Sequence, residues 1–184
     1  MVNPIFEEAM ELTICRSLNN QGWIWNEGAN DKGVDPKLGL FPEDVLHWLK
    51  SQYPEQYERA IPKTANDTER KSREHRLLKR LTKELDHTPI LDGITKKVNG
   101  GLLGTLRDGF SFTQTDLGTV SFPDMAGFYP YDPAKTDVID KAKENRLRVL
   151  QQVHFEKGGL GEIDLVLLVN GIPVITMELK TDNT

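Results

Sequence analysis

The chain of 184 residues has one cysteine, no apolar run of bilayer length and no excess of positive charge. A single thiol, Cys15, excludes an intramolecular disulfide, and its place in an amphipathic amino-terminal segment makes it a small buried hydrophobe rather than a nucleophile. No stretch approaches the roughly 18 apolar residues that a membrane-spanning helix needs. The opening "MVNPIFEEAMELTICRSL" carries acidic residues where a signal peptide wants basic ones, so a soluble, cytoplasmic protein with no membrane partner is expected. A formal net charge of −5 gives no general attraction to nucleic acid. Any DNA contact must then come from a local basic patch or from partner proteins. Internal repeats and low-complexity tracts are missing too. His47, His75, His87 and His154 are scattered without the clustering that zinc requires.

What is there is an ordinary globular composition, 38% hydrophobic and 28% charged, enough for one domain with a sizeable core. Residues 4–20 read as a helix capped by Asn3, started by Pro4 and ended by Gly22, with Ile5, Ala9, Leu12, Cys15 and Leu18 at helical spacing. A helix from Pro42 to about Gln52 and a shorter one begun at Pro54 follow. Residues 66–87 form the most strongly helical stretch, with Leu77, Leu78, Leu81 and Leu85 as its apolar stripe. Arg70, Arg73, Arg76, Arg80 and Lys83 recur near helical spacing, but the interspersed Glu69, Glu74, Glu84 and Asp86 favour a solvated surface over a phosphate-facing one. A short helix is expected over residues 102–107, with an irregular loop or hairpin after it. Trp23, Trp25 and Trp48 lie beside helix ends and read as core aromatics rather than base-stacking platforms.

The last third, "NRLRVLQQVHFEKGGLGEIDLVLLVNGIPVITMELK", predicts three strands, 147–155, 162–169 and 173–180, parted by glycines and by Asn170-Gly171. Apolar residues fill both faces of the last two, which points to a sheet covered on both sides. Asp164 and Glu178 in such strands are costly unless their charge is compensated, and a divalent metal ion is a natural compensator. Glu178 and Lys180, two apart, point to one face at a strand end. The turn decides whether Asp164 joins them. A two-residue loop pairs 164 with 177; a three-residue loop, or a bulge of the same parity, pairs 164 with 178. The latter register is the expectation. Two carboxylates holding magnesium, with a lysine orienting water or stabilising the pentacovalent charge, are the parts of a metal-dependent phosphodiesterase acting on DNA. The spacing alone, Asp164 to Glu178-x-Lys180, is a weak signal that fits a charged strand end better than a metal site.

"EIDLVLLVNGIPVITMELK" resembles the Asp...(Asp/Glu)-x-Lys motif of the restriction-endonuclease-like superfamily, and in particular the amino-terminal nuclease domain of the R subunit of type I restriction enzymes. Asn145 with "RVLQQVHF" is similar to that family's asparagine-led strand, Ile163-Asp164 stands where it has Pro-Asp, and "LLGTLRDGFSF" is similar to its upstream segment. The resemblance implies an α/β fold, a restriction-endonuclease-like mixed central sheet flanked by helices, with a largely helical insertion and a truncated carboxy-terminal part. It implies a single nuclease domain over 1–184, with the insertion at about 27–100 and the core in 1–26 plus 101–184.

The resemblance further implies catalysis by Asp164, Glu178 and Lys180 with a helix carboxylate, Glu11, or Glu7 one turn earlier. The implied metal is Mg2+ (or Mn2+), held by Asp164 and Glu178. The implied partners are double-stranded DNA and the methylation and specificity subunits of a type I restriction complex. No Walker loop occurs, so ATP would act only through the motor domain of a longer subunit, and the chain reads as an amino-terminal fragment. Two alternatives stand beside this: a non-catalytic module of the same fold that docks partner subunits, and a repair- or resolvase-type nuclease of the superfamily.

Overall fold

A computed structural model describes residues 4–28, 32–88, 90–91, 98–154 and 161–180. In chain order the elements are α1 (Pro4–Asn20), α2 (Pro42–Gln52), α3 (Pro54–Ala60), α4 (Asp67–Leu85), β1 (Ile90–Leu91), β2 (Val98–Asn99), α5 (Gly101–Asp108), β3 (Phe110–Gln114), β4 (Gly118–Phe122), α6 (Thr136–Lys143), β5 (Leu147–His154), β6 (Glu162–Val169) and β7 (Ile172–Met177). They fall into two compact units, one of residues 1–41 with 146–184 and one of residues 42–145.

The first unit is built on a three-stranded sheet in the order β5-β6-β7. Every ladder in it is antiparallel, and the one parallel contact among the described residues is an isolated bridge between Ile24 and Arg148. The mixed central sheet expected from the sequence is therefore not what these residues form. Chain length gives the reason: β6 and β7 are joined through Asn170-Gly171 and β5 and β6 through residues 155–161, whereas a parallel crossover needs a dozen residues or more. Asn170 (φ 49°) and Gly171 (φ 80°) both take the left-handed conformation that a type I′ hairpin turn demands. Asn170 also clasps the start of β5: its Oδ1 accepts from the Arg146 N–H at 2.8 Å, and its own N–H donates to the Arg146 carbonyl at 2.9 Å.

One side of this sheet packs Cys15 of α1 against Val149, Leu165 and Leu167, with Ile14, Leu18, Trp23, Trp25, Val174, Met177 and Leu179 around them. The other side gathers Leu150, Val153, Val166 and Leu168 under Phe41 and Val34. Apolar residues on both faces of β6 follow from this double covering.

The second unit packs five helices and two small hairpin ladders, with Val45, Trp48, Leu49, Leu77, Leu81, Phe122 and Met125 buried. α4 begins where Asn66 Oδ1 accepts from the Glu69 N–H at 2.9 Å, satisfying a donor that the first turn would otherwise leave unpaired. β3 and β4 pair in register from Phe110↔Phe122 to Gln114↔Gly118 and alternate buried with exposed side chains. Phe110 stacks on Phe122 at 5.3 Å between ring centres. Gly109 joins α5 to β3 at φ 68°, with the Phe122 carbonyl oxygen 1.7 Å from where a Cβ would sit. Only glycine fits there. α6 and the β1–β2 pair had no counterpart in the sequence reading.

Candidate metal-binding hairpin of the first unit

The sequence predicted that the turn would set the site, through a three-residue loop or a bulge of the same parity. The loop is the two-residue one, with Val169 paired to Ile172 and Leu168 to Pro173. The ladder then shifts between Leu168 and Leu167, whose partner is Ile175, so Val174 is an extra residue on β7. Beyond this bulge Leu165 pairs with Met177, the last pair of the ladder between β6 and β7. β7 ends at Met177, three residues before the expected end.

Leu179 holds the continuing segment down. Its side chain packs into the Cys15 cluster, and its N–H donates to Asp164 Oδ2. The residues on either side of it, Glu178 and Lys180, are exposed and 4.0 Å apart between Oε2 and Nζ. An x of Leu in Glu-x-Lys is thus an anchor that turns its two neighbours outward.

Glu11 sits on α1, 4% exposed, and Oε2 accepts from Gln151 Nε2 of β5 at 2.9 Å. Burial raises its pKa above the ordinary value, the Gln151 bond opposes this, and the charges of Asp164, Glu162 and Glu8 push it further up. Glu11 and Asp164 therefore share one electrostatic neighbourhood. Glu7, the alternative helix carboxylate, is half-buried on the preceding turn. Burial and the charge of Glu11 push the Cys15 thiol up to about 11, so it stays protonated at neutral pH.

The carboxylate oxygens of Asp164, Glu178 and Glu11 are hard donors of the kind magnesium and manganese prefer, and mutual repulsion at Glu11 is what a cation would relieve. Asp164 would hold such an ion through Oδ1, its Oδ2 being turned to the Leu179 amide. Among the described residues no group of three His, Cys, Asp or Glu side chains is already gathered as a ligand set. Gln151 and Glu162 were missed from sequence. The signal for Gln151 was available, since two consecutive glutamines interrupt an otherwise apolar strand.

Residues 6–184 match the family model described as type I restriction enzyme R protein N terminus. The chain belongs to that family. The R subunit is that of a nuclease, and the family's setting is a restriction-modification complex and DNA. Searches of the curated proteins and of the solved structures found no match. No helix among the described residues is long and apolar enough to cross a membrane.

Proposed function

We propose that the chain is the endonuclease domain of a type I restriction R subunit, hydrolysing DNA phosphodiester bonds with Mg2+ or Mn2+ bound by Asp164 and Glu178. One observation carries this reading: α1 brings the buried Glu11 within range of the charge on Asp164, whose Oδ2 accepts from the amide that follows Glu178 in the chain. When bound, the metal supplies a polarised phosphodiester and a water acidified toward neutral pH. The chain's own residues do the rest. Asp164, steadied by the Leu179 amide, and Glu178 fix where the cation and hence the scissile phosphate sit. Lys180, beside Glu178, orients the attacking water or neutralises charge developing on the phosphorus oxygens. Gln151 holds Glu11 in place. Target choice and ATP-driven motion belong, on this reading, to the other subunits and to a motor domain.

The test is cleavage of plasmid DNA by the complete R subunit assembled with its methylation and specificity subunits, ATP and magnesium. Asp164→Ala, Glu178→Ala and Lys180→Ala are each expected to abolish cutting while leaving ATP hydrolysis intact. Cutting retained in all three would sink the proposal. The lack of a pre-gathered three-residue ligand set favours a second reading, a non-catalytic module that docks partner subunits. Calorimetric titration with manganese separates the two, since a docking module takes up no metal.

A further inference from the structure

In sequence, α4 mixes charges of both signs; in space it sorts them. Glu69 accepts from Arg73 at 2.8 Å, Glu74 takes Lys50 at 3.3 Å and the Tyr57 hydroxyl, and Glu84 pairs with Arg80. Each acid of the helix middle is spent on a neighbour. Arg76, Lys79 and Lys83 are exposed, and among the described residues no hydrogen bond or ion pair engages them. Steps of three and four residues put them in one row, about 10 Å long at 1.5 Å per residue. That is the length of about three base-pair steps of one DNA strand.

The row does not stand alone. Arg80 Nε donates to the Ser111 carbonyl at 3.1 Å, and Arg73 reaches Gln114 at 2.8 Å and Asp116, so α4 lies along β3. The outward face of the β3–β4 hairpin is a ladder of hydroxyls, Ser111 with Ser121 and Thr113 with Thr119, each pair 2.9 Å apart. Asp116, the carboxylate at the end of that hairpin, is tied to Arg73, which holds its pKa below the usual range. Asp67 and Asp86 lie at the two ends of the helix, outside the row. The surface therefore offers cations and neutral hydroxyls, the groups that contact phosphate oxygens. None of the described residues named for it is a Phe, Tyr or Trp on which unpaired bases could stack, which favours a duplex over a single strand.

We infer that the row Arg76–Lys79–Lys83 and the adjoining Ser/Thr ladder form a second contact surface, one that grips the phosphate backbone of duplex DNA without reading its sequence. The inference rests on DNA being the substrate but not on the catalytic residues. Its test is therefore run in EDTA, where no cutting occurs.

The probe is a fluorescent duplex of about 30 base pairs, enough to cover a single site. Its anisotropy is followed against salt for the chain and for a triple variant, Arg76→Gln with Lys79→Gln and Lys83→Gln. Three lost phosphate contacts should weaken binding by tenfold or more and flatten the plot of log affinity against log salt by about 2.7. A control of equal charge change, Lys37→Gln with Lys63→Gln and Lys143→Gln, should leave both nearly unaltered. Equal losses in the two variants, or no loss in either, would overturn the inference; the latter would instead suit an acidic protein surface as the partner. Thr119→Val with Ser121→Ala should weaken binding by a few-fold at unchanged slope, and unaltered binding there would remove the hydroxyl ladder from the surface. Matching far-UV circular dichroism keeps loss of fold out of the comparison.

Discussion

The two units treat their carboxylates in opposite ways. In the second, acids are neutralised by cations or phenols: Asp116 and Glu69 share Arg73, Glu74 takes Tyr57 and Lys50, and Asp124 binds Lys141. In the first, buried Glu11 is bonded to a neutral amide and has Asp164 and Glu162 as electrostatic neighbours, so its pKa is driven up. One arrangement satisfies charge for the sake of the fold. The other leaves charge under-compensated, as the proposed cation site requires.

The sharpest way to break the contrast is to remove the first unit's charges. Asp164→Ala or Glu178→Ala should lower DNA cleavage by at least about a hundredfold, measured as plasmid linearised per unit time, with little change in melting temperature. In the second unit the same treatment should do the reverse. Gln114, 6% exposed, accepts from Arg73 and donates to the Ala60 carbonyl at 2.8 Å, so Gln114→Ala strands two partners and should cost about 1–3 kcal/mol in urea unfolding. A smaller loss, about 1 kcal/mol, is expected for Asn66→Ala, which removes the α4 cap, read from the same unfolding curves.

The mildest effect is a gain. Glu11 holds its proton more tightly folded than the ordinary 4.5 allows, so its contribution to stability is greatest below that value and is lost as pH rises through the raised one. Glu11→Gln should therefore melt above the parent at pH 8, with the gap closing toward pH 4. A variant that melts lower at pH 8 would show that the carboxylate is compensated after all.

Much of the first unit was legible because its signals are local. Apolar runs bounded by glycines marked β5 to β7, and Asn170-Gly171 marked the turn. The ladder register was less so: it shifts at Val174, a residue whose chemistry does not distinguish a bulge from a ladder position. Sheet type went wrong for a related reason, since expecting a mixed sheet ignored how short the connections are. α6 escaped notice because only Val138, Ile139 and Ala142 form its apolar side. The sorting of charge along α4 depends on where β3 and α3 lie, so composition averaged it to a bland mixture. Glu11, by contrast, came from the resemblance, and its partner Gln151 had to wait for coordinates.

The bulge at Val174 has a consequence for how such hairpins are compared. It shifts the register by one residue, so the number of residues separating two positions on β6 and β7 does not by itself say which of them pair. A chain lacking that residue would pair the counterparts of Leu165 and Met177 with one position fewer between them, and a chain with a second such insertion would do so with one more. Alignments that demand one fixed gap would discard both, although the geometry they were meant to detect is unchanged.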